Sequence, residues 1–378
     1  MKKIILAFLT WRILLFIPLY VGYLFIPYRQ GYDYTNIWKF TEPYFPVSSP
    51  LLFPWANFDG VHYLSISGSG YLDNQGFFPL YPILIKLLAT FFGGGETFGL
   101  AYFISGFLIS NISLLLLLII FFKLITLDFS RKVAWQSIIF LLVFPTSFFF
   151  AGLYTESTFL LFTLLSFYFA RKRKWFLAGT FGLLLSTTRL VGIAIFPALV
   201  YEFIKEEKKV SAKILNLLLV PMGIASYVFY NFWQTKNPLI FIEAHQDLNP
   251  TRTVSAVILL PQTLYRYFKI LTTVPLTQFE WWIALLEVSL FTFAASMLYI
   301  AFKKKVRPSY ILFSAFSLLI PASSGTFSAV PRYALVLFPI FIGLALVKDI
   351  RLKLLYSVIS AVLLLILLSL FARGYFIA

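Results

Sequence analysis

Asp59, His62 and Tyr63 stand in the stretch Trp55-Ala56-Asn57-Phe58-Asp59-Gly60-Val61-His62-Tyr63-Leu64. If a helix begins here, the three fall at i, i+3 and i+4 and share one face. A carboxylate in a partly desolvated cleft gains proton affinity toward neutral pH, which suits a general base. The same aspartate could instead only cap that helix. Two cations stand apart from the main basic clusters. Arg189 lies in Ser186-Thr187-Thr188-Arg189-Leu190-Val191-Gly192, and Arg332 in Ala329-Val330-Pro331-Arg332-Tyr333. Guanidinium groups fork onto phosphate oxygens, so a pocket holding both would suit a phospholipid-linked substrate. Each could also be an anchor snorkelling to ordinary headgroups. The polar run Tyr154-Thr155-Glu156-Ser157 interrupts apolar sequence, where Glu156 could bind substrate or cap the segment that follows.

These residues must be positioned by elements of unusual composition. Of 378 residues, 60% are hydrophobic and 12% charged, with 45 Phe, no Cys and two His. The mean hydropathy is +0.87. Soluble domains are less apolar and about twice as charged, so the chain belongs to the membrane class. Without Cys there is no disulfide or thiolate metal site, and His62 and His245 are too few for a His-rich one. No cofactor is required on these grounds, and no residue set supports a divalent metal, which is left open. The net charge of +16 invites a nucleic-acid reading, but loops that set membrane topology explain it better.

Apolar stretches predict an all-α polytopic bundle, a single domain over 1–378, with about eleven spans. They fall near 4–26, 99–122, 134–152, 157–170, 175–188, 190–204, 214–233, 281–302, 309–321, 334–347 and 354–372. The first is too long for a signal h-region and lacks a small-residue cleavage site, so it is expected to be retained. Pro79–Phe92, with Lys86 inside it, is expected as an interfacial or re-entrant helix. With the N-terminus cytoplasmic, the cytoplasmic segments gather twenty Lys and Arg and the opposite face ten. This asymmetry predicts an N-in, C-out chain. Two extracytoplasmic loops are long, 27–78 and 234–280, and loops of that length on a bundle tend to carry function. The second contains Tyr265-Arg266-Tyr267-Phe268-Lys269, suited to a helix lying among headgroups. Arg12 and Glu287 are charged and sit within spans. Glu287, about 9 Å below the outer surface at 1.5 Å per residue, could reach an outer cavity or pair with a neighbouring helix.

The glycines between Gly68 and Gly76 make turns rather than a phosphate cradle, because no strand precedes them. Together with their flanks they carry a resemblance. Phe58-Asp59-Gly60-Val61-His62-Tyr63-Leu64, Gly70-Tyr71 and Phe77-Phe78-Pro79-Leu80-Tyr81-Pro82 resemble the first-loop signature of the PIG-V-like mannosyltransferases. Phe144-Pro145-Thr146-Ser147, Tyr154-Thr155-Glu156-Ser157, Thr188-Arg189-Leu190-Val191-Gly192 and Pro331-Arg332-Tyr333 with Phe338-Pro339 resemble the later motifs, in order. Phe58 stands where the family commonly has Trp, and Leu190-Val191 replaces a more polar pair.

The resemblance implies a GT-C glycosyltransferase, transferring a sugar with inversion from a polyprenyl- or dolichyl-phosphate donor to a lipid or glycan acceptor. It implies Asp59 as the base, with His62 and Tyr63 lining the pocket and Arg189 and Arg332 on the donor phosphate. Tyr81, Tyr154, Glu156 and Tyr333 stand beside them as substrate-binding candidates. The site would be extracytoplasmic, at the plasma membrane of a prokaryote or the endoplasmic reticulum of a eukaryote. Nucleic acid is not an expected partner. A transporter or flippase, and a non-catalytic membrane scaffold, are the alternatives. A transporter would need ionisable groups along a path through the bilayer, where Arg12 and Glu287 alone qualify.

Overall fold

The computed structural model describes residues 2–29, 36–41, 49–207, 211–248, 252–253 and 256–377. All regular structure among them is helical, as hydrocarbon demands of a chain that must satisfy its own backbone groups. In chain order the helices are α1 (Lys2–Leu14), α2 (Phe16–Phe25), α3 (Trp38–Thr41), α4 (Asp59–Ser69), α5 (Leu80–Phe91) and α6 (Leu100–Ile125). There follow α7 (Arg131–Leu142), α8 (Glu156–Arg171), α9 (Trp175–Ser186), α10 (Ile195–Glu207), α11 (Leu219–Thr235) and α12 (Ile240–Leu248). The last six are α13 (Leu260–Thr273), α14 (Phe279–Lys303), α15 (Pro308–Ala322), α16 (Val330–Val336), α17 (Pro339–Ala345) and α18 (Ile350–Ala372).

Five of these segments among the described residues are long and apolar enough to cross a bilayer: Lys2–Phe25, Leu100–Ile125, Ala212–Thr235, Phe279–Lys303 and Ile350–Ala372. The other stretches expected to span are shorter or broken helices, so eleven continuous spans are not seen. Prolines stand at two of the breaks. Pro145 follows the end of α7 and leads into a 3-10 turn, Ser147–Ala151. Pro339 is the first residue of α17, after a break at Leu337, whose ψ is 60°. A proline lacks the backbone donor that a continuing helix would need.

The described chain forms two compact units, Met1–Leu164 with Asp349–Ile377, and Leu165–Lys348. In the first, α18 lies against α2 at Gly22, where a Cβ would come 2.8 Å from the Ser369 carbonyl oxygen. Ser369 Oγ donates to Pro18 O at 2.7 Å across the same approach. The core is apolar along α6, with Leu114, Leu117, Leu118 and Phe121 fully buried. Leu6, Leu9, Ile13, Ile17 and Phe25 of the first two helices are exposed, an apolar face of the kind that lipid covers.

In the second unit Ser186 Oγ of α9 donates to Val220 O of α11 at 2.6 Å. At one end a buried ion cluster joins three elements. Glu202 of α10 accepts from Arg307 Nε at 2.8 Å and Ser309 Oγ at 2.7 Å. Arg171, closing α8, stands 3.8 Å away, and Arg307 also pairs with Glu206. The amphipathic helix expected around Tyr265–Lys269 is α13. It buries Thr263 and Tyr267 and exposes Leu264, Tyr265 and Phe268.

Candidate active site

Asp59 is the first residue of α4 and is partly exposed. The position before it, where a capping side chain would sit, belongs to Phe58, which makes no such bond. A carboxylate in the first turn is favoured by the helix dipole. Phe58 takes φ 59° and ψ −114°, a conformation that costs any residue with a Cβ. Its ring is held against Phe371 at 5.2 Å and Phe376 at 5.3 Å. Strain in the residue that delivers an aspartate to a helix start is a feature of functional sites.

The approach to Asp59 is braced from three sides. Trp55 O accepts the Leu153 N–H at 2.7 Å. Asn57 O accepts the Tyr154 hydroxyl at 2.7 Å. Beneath Trp55 lies Arg12, 8% exposed, its guanidinium 3.9 Å from the indole and 4.9 and 5.2 Å from the rings of Phe107 and Phe16. Arg12 Nε donates to Asn111 Oδ1 at 3.1 Å, and Asn111 Nδ2 donates to Ala151 O at 3.2 Å. The charge inside the first span is thus caged by aromatic faces, which attract a cation at these distances.

His62 stacks on Phe77 at 4.6 Å, and Tyr63 meets Phe77 and Tyr81 edge-on, both at 5.1 Å. Burial lowers the His62 pKa below its usual value, against an opposing pull from the Asp59 charge, so the imidazole is neutral at pH 7. Tyr81 is fully buried, its hydroxyl donating to Gly106 O at 3.0 Å and lying 2.7 Å from Ser110 Oγ. Ser110 Oγ in turn reaches Tyr154 O at 3.2 Å. Tyr154 and Glu156 are also closed off from the surface. The Tyr81 and Tyr154 hydroxyls are engaged by the protein itself and hold the frame around α4. Asn57, Ser110, Asn111 and the Arg12–Trp55 contact escaped the sequence reading. Two adjacent polar residues in the apolar α6 were the signal available for part of this.

Arg189, Arg332 and Tyr333 belong to the second unit. Arg189 precedes the 3-10 turn Leu190–Ala194 in extended conformation, and its guanidinium lies 4.6 Å from the Tyr333 ring. Arg332, 6% exposed, is the third residue of α16. The structure therefore brings the Arg189 and Pro331-Arg332-Tyr333 motifs together across more than a hundred residues. The turn after Arg189 leads into an apolar groove of about 550 Å³ lined by Ile193, Pro221, Ile224, Ala225, Val228 and Phe229. Among the described residues no three His, Cys, Asp or Glu side chains cluster as a metal site.

With these spanning segments, and only helices as regular structure among the described residues, the chain is an integral membrane protein; α4 opens on a partly exposed carboxylate, and two arginines stand on separate motifs. Residues 3–221, more than half the chain, match the family model for mannosyltransferase (PIG-V), and the chain belongs to that family. No curated protein matches it. The crystal structure of ArnT from Cupriavidus metallidurans bound to undecaprenyl phosphate is similar in fold, with a TM-score of 0.50 at 13% identity. The likeness covers 94% of this chain and 62% of ArnT, so the chain spans under two thirds of that protein's length.

Proposed function

We propose that the protein transfers a hexose, mannose by its family, from a polyprenyl- or dolichyl-phosphate donor to a lipid or glycan hydroxyl on the extracytoplasmic face. The observation that carries this is Asp59 itself: partly open at the first turn of α4 and delivered there by a strained Phe58. Asp59 takes the proton as the acceptor oxygen bonds to the sugar's anomeric carbon. The bond from that carbon to the phosphate oxygen breaks on the opposite face, with inversion, and the lipid phosphate leaves with the electron pair. Arg189 and Arg332 stabilise the charge that develops on that phosphate. His62 and Tyr63 line the acceptor side, and Tyr333 sets Arg189.

Three features support the assignment. The family is one of mannosyltransferases, ArnT was solved with undecaprenyl phosphate, and the apolar groove after Arg189 suits an isoprenoid tail. The Lys and Arg distribution supports an N-terminus in the cytoplasm and long loops outside, in the plasma membrane of a prokaryote or the endoplasmic reticulum of a eukaryote. The test is Asp59→Asn in proteoliposomes supplied with polyprenyl-phosphate mannose and an acceptor. Transfer should fall about 10²–10⁴-fold, the usual worth of a general base, with thermal unfolding unchanged. Retained transfer removes Asp59 from the mechanism.

A further inference from the structure

Glu287 has no part in the chemistry above, yet it lies within a spanning helix, 5% exposed, where a carboxylate is expensive. Its carboxylate accepts the hydroxyl proton of Tyr267, which comes from α13 in the second outer loop. A phenol has one proton to give, so its oxygen is left facing other donors. It accepts the Phe327 N–H at 2.8 Å and lies 3.1 Å from Thr326 Oγ1. Thr326 Oγ1 then accepts the Ser328 N–H at 3.1 Å.

The same segment is held further back. Ser323 O accepts Ile258 N–H at 2.8 Å and Ser324 O accepts Thr253 N–H at 2.9 Å. Gly325 O accepts Arg266 Nη1 at 3.1 Å. Residues 323–328 form no helix of their own, and each takes part in this polar lattice. They feed straight into α16, whose third residue is Arg332. The Arg332 N–H bonds to Ala329 O at 3.1 Å, one residue past the lattice.

The geometry points to Glu287 as a positioning residue: by fixing the direction of the Tyr267 hydroxyl it sets the 323–328 segment, and so the placement of Arg332 on the donor phosphate. This rests on the phosphate role proposed for Arg332. Without a carboxylate to take it, the Tyr267 proton can swing toward the Phe327 N–H or Thr326 Oγ1, and that oxygen becomes a poorer acceptor for both.

The experiment compares Glu287→Gln, Glu287→Leu, Tyr267→Phe, Arg332→Ala and the double variant Tyr267→Phe/Arg332→Ala in the full-length protein. Donor KM, acceptor KM and kcat are measured with undecaprenyl-phosphate mannose, retention of undecaprenyl phosphate by native mass spectrometry, and unfolding by heat. Tyr267→Phe keeps the ring that packs on Phe327 at 4.8 Å, so a folded variant is expected. Glu287→Leu and Tyr267→Phe should raise donor KM about tenfold and weaken lipid phosphate retention, with kcat and acceptor KM held within about twofold. Glu287→Gln, which still offers an acceptor carbonyl, should recover most of the loss. The double variant should be no worse than Arg332→Ala, because Tyr267 acts through that arginine. Unchanged donor KM in Glu287→Leu and Tyr267→Phe beside a raised one in Arg332→Ala overturns the positioning role, as does full additivity in the double variant. Unchanged donor KM in Arg332→Ala itself removes the phosphate role and the positioning role with it.

Discussion

Phe58 offers a test in which two substitutions should rank in an unusual order. Its φ of 59° and ψ of −114° suit glycine, while its ring is 4% exposed and packed between Phe371 and Phe376. Phe58→Ala removes the ring, a loss of about 3–5 kcal/mol in a packed interior, and leaves the backbone strain in place. Phe58→Gly removes the same ring but also relieves a strain of order 1–3 kcal/mol. Against that stands roughly 1 kcal/mol, the ordinary entropic disadvantage of glycine relative to alanine. The glycine variant should therefore come out about 0–2 kcal/mol more stable than the alanine variant, the reverse of the order in helices and strands. Both should lie well below the wild type. Unfolding of the three proteins in mixed micelles, titrated with sodium dodecyl sulfate and followed by tryptophan fluorescence, gives the ranking directly. An alanine variant clearly more stable than the glycine variant would mean that the conformation before Asp59 stores no strain.

Removing Arg307 strands the buried Glu202 charge beside Ser309 and the more distant Arg171. Arg307→Ala should cost about 3–5 kcal/mol in the same unfolding assay, and adding Glu202→Gln should recover much of it, because the uncompensated carboxylate is then gone. A double variant less stable than the single one contradicts this. For His62 the sign follows from burial, which holds its folded-state pKa below the unfolded value of about 6.5. The unfolded chain then binds more protons between those two values, so stability is lost as pH falls from 7 through 6.5 and below. Thermal stability of the wild type should accordingly drop more on acidification than that of His62→Gln; equal acid sensitivity refutes the effect.

Much of the site's local structure was legible in the sequence, because the signals are short-range. A helix beginning at Asp59 puts His62 and Tyr63 on its first turns, and α4 does begin there. The aromatic and basic pattern of Tyr265–Lys269 marks an amphipathic helix, which α13 is. The motifs in order along the chain pointed to the family, which the match over residues 3–221 establishes. Helix lengths were less legible: 134–152 and 334–347 read as unbroken apolar runs, but both break, beside Pro145 and just before Pro339.

Composition put this chain in a membrane, and continuous apolar runs of about twenty residues made it helical rather than a barrel of short alternating strands, since hydrocarbon satisfies no backbone group. Partner choice was another matter. That Tyr154 gives its proton to the carbonyl of Asn57, 97 residues away, has no trace in periodicity or spacing. Neither does the cage of rings around Arg12, nor the choice of Tyr267 by Glu287. Each charge announced itself as costly where it stood, because desolvation depends on the local apolar run. What relieves that cost depends on which distant helix the fold lays beside it, and only the packed structure decides that.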